Sequence, residues 1–282
     1  MAIVEMKLWL LAALVAVALL QVSAPVDAAQ VTLGASKDNT LYQDFAGELS
    51  NGAGEYLFAG NTKRVGFRRG LLAFDIAGNI AVGSTIDSVE LRLTLSLKPT
   101  DVGATTQSLH RVLADWGEGT SDAGTPGGLG VLATPGDATW FHTFSDGAGG
   151  GSLWTTPGGD SAAAASASQS VDDVGSYTWS STLDLVADVQ AWLDSPSGNF
   201  GWAVIGDEAT THNARRYGSR ENSVAANRPQ LVINYTETVP EPQTLYLLLF
   251  GSALAVAVRQ QQMNPRHPTW PTEPSSSVTC CR

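Results

Sequence analysis

Four groups of residues in this chain could do chemistry. The first is acids in glycine-rich loops. The stretch "DWGEGTSDAG" holds Asp115, Glu118 and Asp122, and "TTPGGD" ends on Asp160. Carboxylates and loop carbonyls are the hard oxygen ligands that calcium takes, so these four acids are the metal candidates; solvated loop acids are the competing reading. The second group is basic. Lys63, Arg64, Arg68 and Arg69 cluster, as do Arg215, Arg216 and Arg220. Guanidinium forks match carboxylates, so either cluster could hold a uronic acid, with Arg215, Arg216 and Arg220 the chosen candidates and pairing to acids such as Glu221 the alternative. Third are Trp140 and Trp154, in a polar, glycine-rich context. An exposed indole there would offer its face to sugar CH groups; anchoring its own loop is the alternative. Fourth is Val239-Pro240-Glu241-Pro242. Its two prolines prevent helix and central strand, leaving a stiff peptide open to a processing enzyme.

Catalysis finds less support. The body of the chain has His110, His142 and His212, but no H-E-x-x-H, G-x-S-x-G or glycine-rich phosphate loop. A glycosidase carboxylate pair stays open, since separation in space is not written in sequence. Yet most acids, such as Asp75, Asp87, Asp115 and Asp207, sit where Asp supports turns. Both cysteines, Cys280 and Cys281, lie at the C-terminus, which excludes a thiolate zinc site or a cysteine nucleophile in the body. A net charge of −11 with no basic footprint argues against nucleic acid. The expectation is a non-catalytic protein.

These residues need a scaffold, and the sequence predicts strands. In "TIDSVELRLTLSL" (Thr85 to Leu97), Val89, Leu91, Leu93, Leu95 and Leu97 alternate with polar residues, the period of a half-buried antiparallel strand. "GLLAFDI", "NFGWAVIGD" and "PQLVINYT" read as further strands, with weaker candidates at Val31–Leu33, Tyr56–Ala59, Leu109–Leu113 and Tyr177–Trp179. Leu185, Val186, Val189, Trp192 and Leu193 have helical spacing. One short helix at about 182–194 follows, with Ser181 as its cap and Ser195-Pro196 as its end. Between Gly117 and Ser181 the chain is poor in large apolar residues and reads as long, partly mobile loops. Strands, glycine-rich turns and no βαβ rhythm give an all-β fold, an antiparallel β-sandwich of jelly-roll type.

The order "KDNTLYQD", "GLLAFDI", "GSTIDSVELRLTL", "DWGEGTSD", "WTTPGGD", "TLDLVADVQAWLDSPSGNFGWAVIGDE", "ARRYGSREN", "RPQLVINY" resembles the DNRLRE domain, related to carbohydrate-binding module family ninety-six. Asp38, Asn39 and Leu41 match part of that name, and the resemblance spans roughly residues 31–236. It implies a jelly-roll sandwich in a secreted bacterial protein, with polysaccharide, in some members acidic, as partner.

The ends complete the reading. Residues 8–20, "LWLLAALVAVALL", suit a secretory h-region, with Val26 and Ala28 at minus three and minus one, so residues 1–28 are the expected signal peptide, its start at Met1 or Met6. Residues 239–262 resemble a PEP-CTERM sorting signal of Gram-negative bacteria. The tetrapeptide matches, Leu245–Val258 supplies the apolar stretch, and the basic cluster is reduced to Arg259. The apolar stretch would make about 21 Å of helix against a hydrocarbon core of about 30 Å, suited to transient membrane contact. The resemblance implies an exosortase-type enzyme as partner. A proline-rich tail, 263–282, follows. The mature domain, 29–238, is thus expected on the outer surface or in the matrix.

Overall fold

A computed structural model describes residues 28–63 and 66–237. Arg64, the expected signal peptide before Ala28, the sorting residues Val239, Pro240, Glu241 and Pro242, and the tail lie outside the described residues.

The fold is all-β, antiparallel and sandwich-like, with one α-helix. Its strands are β1 Ala28–Gly34, β2 Lys37–Tyr42, β3 Leu49–Ser50, β4 Tyr56–Asn61, β5 Phe67–Ala73, β6 Thr85–Leu97, β7 Thr105–Arg111 and β8 Val131–Leu132. There follow β9 His142–Ser145, β10 Gly151–Leu153, β11 Ala167–Val171, β12 Gly175–Trp179, helix α1 Leu183–Asp194, β13 Trp202–Ile205, β14 Arg215–Gly218 and β15 Gln230–Thr236. One curled sheet runs β1-β15-β6-β14-β4-β5-β13-β7-β11, with β12 added on β6 and β2 on β5. The curl turns at β4, whose Tyr56–Ala59 pairs β14 while Gly60 and Asn61 pair β5.

The alternation in β6 has the predicted effect. Val89, Leu91, Leu93 and Leu95 are buried, whereas Leu97, at the strand end, is exposed. With Leu72, Leu231, Ile233, Val204 and the indoles of Trp179, Trp192 and Trp202 they form the main core. Each such side chain contributes about 1.5–3 kcal/mol by leaving water. Trp192 meets Trp202 edge-on at 4.5 Å between centroids, which locks α1 onto β13. Asp188 of α1 ties the same elements, accepting from Trp202 Nε1 at 2.9 Å and from the Ser166 hydroxyl.

The helix cap differs from expectation by one residue. Thr182 is the N-cap and its Oγ1 accepts the Leu185 N–H at 3.0 Å. Ser181 instead accepts the Val89 N–H across to β6. Among the described residues, no helix is long and apolar enough to cross a membrane.

The larger correction concerns the glycine-rich segment. It does not hang free as loops but carries a second core. Val112, Trp116, Ala138, Trp140 and Trp154 pack on Leu41, Leu71, Ala73 and Ala203, on the far side of β2, β5 and β13. Those strands are therefore buried on both faces, which is why "GLLAF" and "WAVI" read as unbroken apolar runs. Phe200 packs with this second core, not with Trp202 and Val204, because it precedes β13. Pairing of β9 with β10, and a Trp154 N–H to Phe141 carbonyl bond of 3.0 Å, knit the cap internally.

Candidate functional site

The sequence-predicted residues do not assemble into one site. Trp140 and Trp154 are each 5% exposed, so neither offers a ring face to a ligand. Trp154 donates Nε1–H to the Thr139 carbonyl at 2.9 Å, and Trp140 stands over Phe67 with the Arg69 guanidinium 5.1 Å from its ring. Both anchor the cap. Arg215 is 0% exposed and spends its NH groups on the Asn213 and Gly103 carbonyls, so it cannot meet a uronic acid. Its strand alternates: Arg215 and Tyr217 point inward, while Arg216 stays half-buried, stacked 3.9 Å over the Tyr56 ring and donating to Ser96 Oγ. Arg220, about 39% exposed at its side chain, is held by Glu118 and Glu221. The three arginines thus form no shared anion fork.

Three of the four metal candidates shape their own turns. Asp115 accepts its neighbour Trp116 N–H and pairs with Lys37 at 2.9 Å. Asp122 accepts the Gly124 N–H, and Asp160 accepts the Thr155 and Thr156 N–H groups, all at 2.8 Å. Each thus serves its local turn, and Asp160 has both oxygens engaged by amides.

Glu118 is different. One oxygen from each of Asp38, Glu118 and Glu221 lies within 4.8 Å of the others, the one such acidic group found among the described residues. Asp38 comes from β2, Glu118 from the cap and Glu221 from the turn after β14. Backbone bonds set the convergence. The Asp38 N–H donates to Glu118 Oε1 at 2.9 Å, and the Arg220 N–H donates to Asp38 Oδ2 at 2.6 Å. Asn39 Nδ2 donates to the Glu118 carbonyl at 2.9 Å. Gly119 lets the chain turn away there: its φ is +69°, and a Cβ would sit 1.5 Å from Asp137 Oδ1. Arg220 Nε reaches Glu118 Oε1 at 2.9 Å and Glu221 Oε1 at 2.5 Å, and its Nη1 reaches the Ser36 carbonyl.

Arg220 compensates the three acids only in part. Asp38 is 1% exposed, and its Oδ1 has no hydrogen-bond partner among the described residues; nor has the buried Glu221 Oε2. Each such orphan costs about 1–3 kcal/mol. Burial, then the charge of Glu221, pushes the Asp38 carboxyl well above the usual range. Burial also raises Glu118. For Arg220 burial pulls downward, but Glu118 and Glu221 outweigh it, so its pKa is raised. The signal for this group in sequence was Asp38-Asn39, two polar residues at the start of a strand that buries both of its faces.

A second feature lies where the cap leaves the sheet uncovered. Thr105, Thr106, Ser108 and His110 of β7, with Ile205 of β13 and the following Gly206 and Asp207, line an open trough of about 480 Å³. Hydroxyls dominate it. His110 Nδ1 lies 2.9 Å from the Ala162 carbonyl, which can only accept, so Nδ1 carries a proton and Nε2 is the ring nitrogen left for a ligand. Asp207 is held in its charged form, first by the Thr210 hydroxyl and then by backbone N–H groups. Among the described residues, no Lys or Arg lines the trough. It belongs to none of the sequence-predicted groups, since Thr, Ser and His along one strand face read only as solvent-facing polar positions. Comparison with models of protein families and with curated proteins finds no match to this chain.

Proposed function

We propose that this chain is a secreted, non-catalytic surface or matrix module of the DNRLRE type, which holds a polysaccharide along the uncovered face of its sheet. The trough of β7 and β13 carries this reading. It is open to solvent and presents Thr106, Ser108 and an imidazole nitrogen suited to sugar hydroxyls. Asp207 within it and the absence of a lining Lys or Arg among the described residues favour a neutral glycan over a uronate. The motif order and the sandwich-like fold support the family reading. The same proposal takes residues 1–28 as an export signal and 239–262 as a sorting segment cut by an exosortase-type enzyme, placing the mature domain outside a Gram-negative cell.

A glycan array and affinity electrophoresis of the full chain test the binding. Retention by a neutral polysaccharide is expected, reduced tenfold or more by Thr106→Arg or Ser108→Arg, which fill the trough. Retention unchanged by either variant sinks the trough. No retention by neutral or acidic polysaccharides leaves the second reading, a structural surface protein without a soluble ligand. One observation favours that alternative: Trp116, Trp140, Trp154, Trp179, Trp192 and Trp202 are all committed to the cores. Mass spectrometry of the secreted product tests the sorting, which fails if residues beyond Val258 persist.

A further inference from the structure

We infer that Asp38, Glu118 and Glu221 bind a divalent hard cation, with calcium the best match, and that this ion staples the cap to the sandwich. The site is independent of the trough and goes beyond glycan binding. Oxygens about 2.4 Å from one ion lie at most about 4.8 Å apart, the calcium bond length doubled. The three carboxylates meet that limit without rearrangement.

Two further observations point to an ion. Asp38, buried to 1% exposure, has an oxygen with no donor among the described residues, and Glu221 Oε2 shares that condition. Asp160, by contrast, has both oxygens engaged by the Thr155 and Thr156 amides. The charge balance is the second. Three carboxylates face one guanidinium, Arg220, and the neighbouring Lys37 is paired with Asp115. The ionised group therefore keeps two negative charges, which a divalent cation neutralises. Waters and backbone carbonyls complete such a shell in hard-cation sites generally.

The three acids come from chain segments far apart: β2, the cap, and the turn after β14. An ion held by all three fixes Glu118, and with it the cap, against β2 beneath. Its binding energy adds to the folded state alone, because the unfolded chain cannot bring these acids together.

The full chain is stripped with EDTA and melted at pH 7.5 with and without millimolar CaCl2, and CaCl2 is titrated calorimetrically. At calcium about a hundredfold above Kd, the midpoint should rise by about 5–10 °C. Glu118→Gln and Glu221→Gln should fold in EDTA and lose most of that rise, with Kd at least tenfold weaker. Asp122→Asn, at an exposed turn, should keep the full response. The inference is overturned if calcium moves neither the wild-type midpoint nor the calorimetric signal. It is equally overturned if both glutamine variants respond as wild type does, since the ion would then sit elsewhere.

Discussion

Trp154→Ala tests whether the glycine-rich cap is part of the folded unit. Trp154 is 5% exposed, its ring sits in the second core, and its Nε1 donates to the Thr139 carbonyl at 2.9 Å. Truncating a buried Trp to Ala costs about 3–5 kcal/mol through lost contacts and the cavity left behind. The stranded Thr139 acceptor adds about 1 kcal/mol or more. The sum, about 4–6 kcal/mol, is a large part of the 5–15 kcal/mol that typically holds a domain together. Two outcomes of urea unfolding fit such a loss. If cap and sandwich unfold together, the midpoint falls with an unchanged slope. If the cap opens alone, limited proteolysis cuts within residues 113–160 while the sandwich transition stays in place. The shared strands favour the first, because opening the cap also exposes Leu41, Leu71 and Ala73 of β2 and β5. Trp154→Phe should cost only about 1–2 kcal/mol, since most of the ring contact survives. A loss below about 1 kcal/mol for Trp154→Ala, with no new cleavage, would refute the cap as a packed layer.

Two other perturbations follow from the same geometry. Gly201→Ala should destabilise by more than about 2 kcal/mol in a chemical melt, since φ is +74° and a Cβ would lie 1.9 Å from the Leu72 carbonyl oxygen; a neutral result would mean that the backbone there can shift. In EDTA the chain should gain stability as pH falls from neutral. Asp38 has its folded pKa raised by burial and by Glu221, so its contribution is fully present below the unfolded value of about 4 and is lost as pH rises through the folded value. Glu118, also raised, acts in the same direction, while Arg220 beside them stays charged. Calcium should reverse this trend at neutral pH, and Asp38→Asn should flatten it; a melting midpoint that falls on acidification to pH 5.5 in EDTA would contradict the assignment.

The sheet was legible where one face of a strand is wet. β6 and β15 alternate, and the period alone placed Leu91 and Ile233 inside. Arg215 obeys the same rule: in "RRYG" a two-residue period puts Arg215 on the side of Tyr217, and both are buried. Composition, two arginines and a nearby third, suggested an anion fork instead. The cap was hidden for another reason. Its few large apolar residues are spaced irregularly, and periodicity detects only regular elements. Three indoles in a glycine-rich stretch were the available clue, because small residues let a layer lie close and each indole needs somewhere dry. Gly158 makes the point: a Cβ there would sit 2.7 Å from the Trp140 ring.

The carboxylate group shows what sequence lacks in principle. This chain has 27 acids, and turn-forming acids look identical to converging ones when read in a line. What separates them is whether the donors are local and whether an oxygen is buried without one. Asp122 and Asp160 find donors two to five residues away, so their charge is spent where the chain turns. Asp38 finds its one donor at Arg220, 182 residues away, and keeps an oxygen unbonded. Such a carboxylate is costly in isolation, so its burial in β2 calls for a compensating charge that the single guanidinium of Arg220, shared with Glu118 and Glu221, does not supply in full. The inferred ion would make good that shortfall and tie the cap's attachment to the divalent cations around the protein. A domain whose tryptophans are consumed by packing thus keeps, in these three carboxylates, a contact between its layers whose charge is only partly paired.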